Sequence, residues 1–159
     1  IREFQAALVL DPKSYKAYDN LGLCYEAVGD GRQALAAYTR ALELVYNDHP
    51  DYDWVYANFA EMMMKRGDYE QAFQLAAEAA ARNPQSARDC YLTGKALAKL
   101  SKWDLSARWL KRAAELDPNY AEPHYLLAQA YRKEGNEDGA IQELARFRAI
   151  ASSQPREKR

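Results

Sequence analysis

The residues best suited to chemistry cluster in the segment LVYNDHPDYDW, which spans residues 44–54 and holds three aspartates and a histidine. Carboxylate and imidazole groups are common metal ligands, so their close spacing could form a metal site. Aspartates near a proline also act as turn residues and helix caps. We favour the second interpretation, in which no metal is bound. The residues concerned are Asp48, His49, Asp51 and Asp53.

The other groups that could be reactive are dispersed along the chain. His124 is the second of the two histidines, and we expect it to pack in a partly buried position rather than to act as a ligand or base. Cys24 and Cys90 are far apart, and we expect both to be small buried residues rather than a disulfide or reactive thiols. The sequence shows neither a Ser/His/Asp or Cys/His pairing nor a glycine-rich phosphate loop. It therefore predicts a chain that is not an enzyme and that binds no cofactor.

Charge and hydropathy restrict the classes of partner. The chain has 159 residues with 22 basic and 23 acidic side chains, so its formal net charge is -1. This balance leaves no electrostatic footprint for nucleic acid, and no apolar run approaches the roughly 18 residues of a membrane span. The two unpaired cysteines lean towards a reducing, cytoplasmic location but do not fix it. Because the chain starts at Ile1 in the middle of a pattern, we expect it to be a piece of a longer protein.

Prolines mark helix ends at regular intervals along the chain. Pro84 and Pro118 lie 34 residues apart, and Pro12 and Pro50 lie 38 apart; proline disfavours a helical residue before it. Alanine is abundant and β-branched residues are few, which favours helix. Fixed spacing of this size indicates a repeat. We predict repeats at 15–52, 53–86, 87–120 and 121–152, a second helix of a truncated repeat at 1–14, and a polar, disordered tail at 153–159.

Two aspartates occupy positions typical of helix starts. Asp30 lies three residues before Gln33, and Asp68 lies three residues before Gln71. This is the spacing of a capping box, with Asp in place of Ser or Thr. We therefore predict that both carboxylates cap the second helix of a repeat.

Small residues recur at the eighth position of each repeat, where they let two helix backbones approach closely. Together with large residues at helical spacing, this pattern resembles the tetratricopeptide repeat, two antiparallel helices in 34 residues, from residue 1 to about 150. The resemblance implies an all-α fold, a right-handed α-solenoid of antiparallel helix pairs whose first helices line a concave groove. The eighth positions are Gly22, Ala60, Gly94 and Ala128.

The repeat explains the segment that first suggested a metal site. Its residues 49–52, HPDY, match residues 117–120, DPNY, position for position, so residues 45–48 are an insertion. Four residues are close to one turn of about 3.6 residues, which changes the facing direction of a helix little. We predict a second helix that runs one turn longer.

The resemblance also implies which positions of the first helices face the groove. In the last two repeats these positions hold five cations against one anion, whereas the first two hold two cations against three anions. Tyr91 and Tyr125 occupy the same position in adjacent repeats, and Tyr and Arg are favoured at binding hot spots. In the run Met62 to Met64 only the last is expected to reach the groove. The candidate partner-binding residues are Lys16, Trp54, Asn58, Glu61, Met64, Arg88, Tyr91, Lys95, Lys99, Tyr125, Gln129 and Arg132.

The implied function is a protein–protein interaction scaffold that binds a peptide or partner segment of acidic character in the groove. The alternative is a regulatory or assembly segment of a larger enzyme or complex whose catalytic part lies outside this chain. A clamp for chaperone carboxylate tails is disfavoured, because Asp19 and Leu23 stand where it needs Lys and Asn. A helical-repeat RNA binder is disfavoured by the charge.

The ends of the chain lack the features of a capped repeat array. Ile1, Phe4 and Leu10 have no partner helix within this sequence. Exposed apolar ends of repeat arrays invite end-to-end self-association. At the other end, Phe147 stands where the other repeats have alanine, and we expect it to close the last layer.

Overall fold

The computed structural model describes residues 1–153, with the side chain of Asn47 excepted. These residues form α-helices joined by short turns, with no strand among them. The helices are α1 (Arg2–Leu10), α2 (Tyr15–Ala27), α3 (Gly31–Asp48), α4 (Trp54–Arg66), α5 (Tyr69–Arg82), α6 (Ala87–Lys99), α7 (Trp103–Leu116), α8 (Ala121–Lys133) and α9 (Glu137–Ser153).

The helices group into two compact units. The first unit covers Ile1–Asn83 and contains α1 to α5, and the second begins at Pro84 and contains α6 to α9. Within the units, consecutive helices pack as hairpins: α2 with α3, α4 with α5, α6 with α7, and α8 with α9. The two helices of each hairpin bury their apolar faces against each other and against the neighbouring hairpin of the same unit.

Glycine at the eighth position permits the close approach that the sequence predicted. A Cβ atom on Gly22 would lie 2.4 Å from the Tyr38 ring, and one on Gly94 would lie 2.8 Å from Cγ of Leu110. The Ser106 hydroxyl donates a hydrogen bond of 2.7 Å to the carbonyl oxygen of Gly94, which joins α7 directly to the α6 backbone. Larger side chains at these positions would force the two helices apart.

Helix starts follow the predicted caps in part. The Asp30 carboxylate accepts a hydrogen bond of 3.1 Å from the backbone N–H of Gln33, as predicted. The predicted side-chain cap at Asp68 is wrong, because no such bond forms at the start of α5. The Asp68 carboxylate instead lies 3.4 Å from Nε of Arg66, and this ion pair turns it away from the helix start.

The turns between the two helices of a hairpin place one residue in the left-handed region. Gly29, Gly67 and Gly135 have φ between 77° and 85° there. In the hairpin of α6 and α7 the corresponding residue is Ser101, with φ of 58°. A side chain in this region costs about 1–2 kcal/mol relative to the right-handed conformation, whereas glycine adopts it freely.

The insertion lengthens α3 by one turn, as predicted. This helix has 18 residues, compared with 14 in each of α5 and α7. Val45 in the added turn is fully buried. The Arg82 guanidinium donates from Nη1 to the carbonyl oxygens of His49 and Pro50, each at 3.2 Å, and so fixes the turn that follows. The insertion is therefore packed into the first unit.

The C-terminal end differs from the predicted tail. Helix α9 continues through Ser153, whose hydroxyl donates to the carbonyl oxygen of Ile150, so this residue is helical and not disordered. The remaining residues of the predicted tail, 154–159, lie outside the described residues. Over residues 1–153, no helix has the length and apolar character needed to cross a membrane.

Candidate functional site

A cavity of about 490 Å³ in the second unit brings together most of the predicted binding residues of that unit. Helices α6 and α8 form two of its sides, Trp103 at the start of α7 forms another, and Phe147 of α9 closes one end. We call it the basic–aromatic cavity. It is lined by Tyr91, Lys95, Ala98, Lys99, Trp103, Glu122, Tyr125, Leu126, Gln129 and Phe147.

Aromatic rings form the apolar part of this cavity and are held by other rings and by the core. The Tyr91 ring packs on Tyr120 with centroids 5.1 Å apart, and the Tyr125 ring packs on Phe147 with centroids 5.4 Å apart. Trp103 packs against the buried core of the second unit. The rings are thus fixed by α7, α8 and α9 before any partner binds, which lowers the entropy cost of binding.

Lysines give the cavity its positive charge. The Lys95 ammonium lies 5.5 Å from the centroid of the Tyr91 ring, and the Lys133 ammonium lies 5.9 Å from the Trp103 ring. Such cation–π contacts hold a lysine beside an apolar surface. Lys99 also lines the cavity, and the acidic residue in the lining is Glu122.

The structure brings some of the predicted residues together and separates others. Tyr91, Lys95, Lys99, Tyr125 and Gln129 line the basic–aromatic cavity. Arg88, which is half-buried, and the exposed Arg132 do not line it. The two tyrosines share this one cavity, as their matching positions predicted, although the ring packed on each belongs to another residue.

Two aromatic residues of the cavity were not among the predicted binding residues. Trp103 is the first residue of α7, the second helix of its hairpin, so a rule that uses only first helices omits it. Phe147 also lies on a second helix, α9, and its only signal was a large residue where other repeats have alanine.

In the first unit, two predicted positions differ in accessibility. Trp54 is 56% exposed at the start of α4. Asn58 is only 3% exposed, and its Nδ2 donates a hydrogen bond of 2.9 Å to Oδ1 of Asp19, which is also buried. The Tyr52 hydroxyl donates to the other oxygen of Asp19 at 2.8 Å. The amide of Asn58 is therefore committed to the interior of the first unit.

The remaining predicted residues of the first unit lie at its surface or partly below it. Lys16 is exposed, and Glu61 and Met64 are half-buried, while Met62 and Met63 are buried as predicted. Near them, Glu26 receives a hydrogen bond of 2.6 Å from the Tyr38 hydroxyl. The Lys65 ammonium lies 3.0 Å from the other oxygen of Glu26. The Lys65 ammonium is thus paired within the first unit.

Burial lowers the acidity of two tyrosines that donate hydrogen bonds and of one cysteine. Desolvation, followed by the hydrogen bond to Glu26, raises the pKa of Tyr38, and desolvation followed by the charge of Asp19 raises the pKa of Tyr52. Both phenols therefore stay protonated and act as donors. Burial likewise raises the pKa of the Cys90 thiol, which agrees with a packing role, whereas Cys24 is only half-buried.

The segment that first suggested a metal site serves as a joint between helices. Asp53 accepts a hydrogen bond of 2.9 Å from Nδ2 of Asn83. The His49 ring packs on Tyr15 with centroids 4.1 Å apart. Within residues 1–153 no cluster of three or more His, Cys, Asp or Glu side chains has a geometry that could hold a metal ion.

Comparison with known proteins agrees with the repeat pattern. Profiles of the tetratricopeptide repeat match residues 14–85, 94–135 and 124–151. No curated protein sequence gave a match. These matches cover most of the chain and include all four predicted repeats in whole or in part.

Solved structures share the fold at low sequence identity. A crystal structure of MamA superposes with a TM-score of 0.82 at 16% identity, covering 95% of this chain and 86% of that one. MamA from Desulfovibrio magneticus RS-1 gives 0.81 at 18% identity, covering 96% and 84%. PilF of Pseudomonas aeruginosa gives 0.82 at 20% identity, covering 97% and 67%. The chain therefore has the all-α repeat fold of the α-solenoid class.

Proposed function

Because the chain belongs to the tetratricopeptide repeat family, whose members are generally non-catalytic protein-interaction scaffolds, we propose that its second unit binds a partner segment of acidic character in the basic–aromatic cavity. The observation that carries the proposal is the meeting of aromatic rings and lysines in one cavity of about 490 Å³. Pockets of this size accept a side chain or a short peptide segment.

The apolar part of the cavity supports an anchoring side chain on the partner. Tyr91, Trp103, Tyr125 and Phe147 contribute four aromatic rings to the lining. Such rings bury large areas and dominate binding energy at protein interfaces. An apolar residue of the partner would displace water from these rings, and the surrounding polar groups would set its orientation.

The charges support acidic residues beside that anchor. Lys95 and Lys99 line the cavity with one acidic residue, Glu122, and Lys133 lies beside Trp103. The described lining therefore has more basic than acidic side chains, and this excess favours an acidic segment. Opposite charges favour encounter and select against basic partners.

The test selects peptides from a random library displayed on phage, with the full chain immobilised, and measures their binding by fluorescence anisotropy. We expect selected peptides that combine Asp or Glu with a bulky apolar residue and bind more weakly as salt rises. The variant Lys95→Glu/Lys99→Glu should bind them at least about tenfold more weakly, since it replaces two attractions with two repulsions.

A matched control is available in the same unit. Arg108 on α7 and Arg148 on α9 are exposed and do not line the cavity. The variant Arg108→Glu/Arg148→Glu changes the net charge by the same amount and should keep the affinity within about twofold. Equal losses in both variants would show that net charge alone attracts the peptides. Selection of basic or uncharged peptides would reject the proposal.

A further inference from the structure

A second cavity in the same unit lies between α7, α8 and α9 and has a volume of about 400 Å³. Among the described residues, its lining has no member in common with the basic–aromatic cavity. We propose that this cavity, which we call the His124 cavity, binds a carboxylate group attached to a short aliphatic body. The proposal is independent of peptide binding at the basic–aromatic cavity. The volume of the His124 cavity falls within the range of small-molecule sites, about 300–1,000 Å³.

A buried polar pair lies in its wall. Nδ1 of His124 is 2.6 Å from Oε2 of Glu143, and both side chains are more than nine-tenths buried. Nη1 of Arg146 is 2.8 Å from the other carboxylate oxygen. An ionised carboxylate only accepts hydrogen bonds, so both nitrogens donate to it. Both carboxylate oxygens of Glu143 are thereby contacted within the protein, and the His124 side chain forms part of the cavity wall.

Two cationic side chains of this cavity could contact an anionic ligand. Lys111 and Arg146 line the cavity and are exposed at its edge. Arg146 donates to Glu143 from Nη1, and a guanidinium has further N–H donors in its fork. Glu115 also lines the cavity, and its Oε2 lies 3.9 Å from Nη1 of Arg112. A carboxylate between Lys111 and Arg146 would meet donors on both sides.

The rest of the wall is aliphatic. Ala114, Pro118, Leu127, Ala149 and Ile150 contribute it, whereas the basic–aromatic cavity is walled largely by rings. A short aliphatic body would bury apolar area against these residues at about 25 cal/mol per Å². The two ends of the ligand are therefore specified by different parts of one cavity, the charged edge and the aliphatic wall.

The repeat itself supplies a comparison for the polar pair. One repeat earlier, the positions of His124 and Glu143 hold Cys90 and Trp109. In the first unit the histidine position holds Tyr56, which is buried with the Arg82 guanidinium 4.3 Å from its ring centroid. The fold thus accepts apolar and aromatic residues here. A buried histidine and glutamate are features of the last repeat and are not required to form a hairpin.

The test titrates the full chain with hexanoate and follows the methyl resonances of Leu127 and Ile150 by NMR. We expect saturable shifts at these residues with hexanoate, and at least about tenfold weaker effects with hexan-1-ol and hexylammonium, which lack the carboxylate. A short peptide ending in leucine, as the free acid and as the amide, tests whether a chain terminus is also accepted. Binding of the free acid alone would extend the ligand class to chain termini, whereas equal binding of acid and amide would contradict carboxylate recognition.

Two variants locate the binding. Lys111→Glu should weaken hexanoate binding about tenfold, equivalent to about 1.4 kcal/mol, while Arg108→Glu on the same helix should leave it unchanged. His124→Tyr should abolish binding, and the tyrosine at the same position of two other repeats indicates that the hairpin accepts it. If His124→Tyr does not fold, Lys111→Glu decides alone. Shifts elsewhere than in the cavity, or an unchanged affinity in Lys111→Glu, would overturn the proposal.

Discussion

Tyr125 on α8 and Phe147 on α9 pack ring against ring, with centroids 5.4 Å apart and planes inclined by 48°. This contact joins the two helices of the last hairpin at the edge of the basic–aromatic cavity. It is adjacent to the buried contact between His124 and Glu143, which joins the same two helices. The position of Phe147 is thus set by two neighbouring contacts between α8 and α9.

Replacement of Phe147 by alanine should affect both stability and binding. Loss of a half-buried aromatic ring should lower the free energy of unfolding by about 2 kcal/mol, less than the roughly 3–5 kcal/mol of a fully buried one. The opened cavity should bind acidic peptides about tenfold more weakly. Urea unfolding and fluorescence anisotropy measure the two effects. Phe147→Leu keeps apolar volume and should retain most of the stability; unchanged peptide affinity in Phe147→Ala would remove this residue from the binding surface.

Replacement of glycine at the eighth position of a repeat should destabilise the protein where the second helix of the hairpin packs closely on it. In Gly94→Ala the new Cβ would lie 2.8 Å from Cγ of Leu110 and 3.2 Å from the carbonyl oxygen of Ser106, so the Leu110 side chain or the α7 backbone must shift. We expect a loss of about 1–3 kcal/mol in the free energy of unfolding, measured by urea titration. Gly31→Ala is the control, because its Cβ would meet no atom within 4 Å at the start of α3. Equal stability of both variants would contradict the close packing of α6 on α7.

Stability should fall above the ordinary pKa of tyrosine, about 10. Burial and acidic neighbours raise the pKa of Tyr38 and Tyr52 in the folded chain, so the unfolded chain releases these protons first. Their contribution is therefore complete below about pH 10 and is lost as the pH rises beyond it. The double variant Tyr38→Phe/Tyr52→Phe should lose less stability than the parent chain between about pH 9 and pH 11.

The comparison between the parent chain and the double variant cancels the effect of all ionisable groups that the two chains share. Tyr46→Phe is the matched control, since this tyrosine is exposed on α3. It should follow the pH dependence of the parent chain in urea unfolding. The same pH dependence in the double variant would show that the buried hydroxyls do not carry the effect.

The apolar face of α1 should cause self-association of the chain. Val9 and Leu10 are 81% and 88% exposed, and no residue of α1 is buried. Sedimentation velocity should show an average mass that rises with concentration, because contact between such faces removes apolar area from water. Val9→Glu/Leu10→Glu should be monomeric over the same range. Leu105→Glu, at an exposed apolar position on α7, should associate as the parent does; a monomeric parent chain would contradict this prediction.

Features that depend on local sequence were predictable. Proline and glycine spacing identified the helix ends, and the register between HPDY and DPNY predicted the added turn of α3. These signals act through the backbone conformation of a few neighbouring residues. The close approach of α2 and α3 at Gly22 was also predictable, because a small residue recurs at the eighth position of each repeat.

Features that depend on the direction of one side chain were not predictable. Asp19 lies on a first helix, at a position that the family resemblance implies would face the groove, but it is buried, and the side chains of Tyr52 and Asn58 both donate to it. Asp68 has capping-box spacing, yet its carboxylate pairs with Arg66. Trp103 lies outside the positions that define the groove and enters the cavity from the start of α7. For Asp19 and Asp68, a competing partner of suitable chemistry holds the carboxylate, and repeat spacing carries no information about that partner.

The most direct measurement of the central proposal is NMR chemical-shift mapping of the full chain with the tightest acidic peptide selected from the phage library. We predict that the largest shifts fall on Tyr91, Lys95, Trp103 and Tyr125, and that they disappear in Lys95→Glu/Lys99→Glu while the spectrum of that variant remains that of a folded chain. Largest shifts confined to the first unit or to the His124 cavity, or shifts that persist in the variant, would contradict binding in the basic–aromatic cavity.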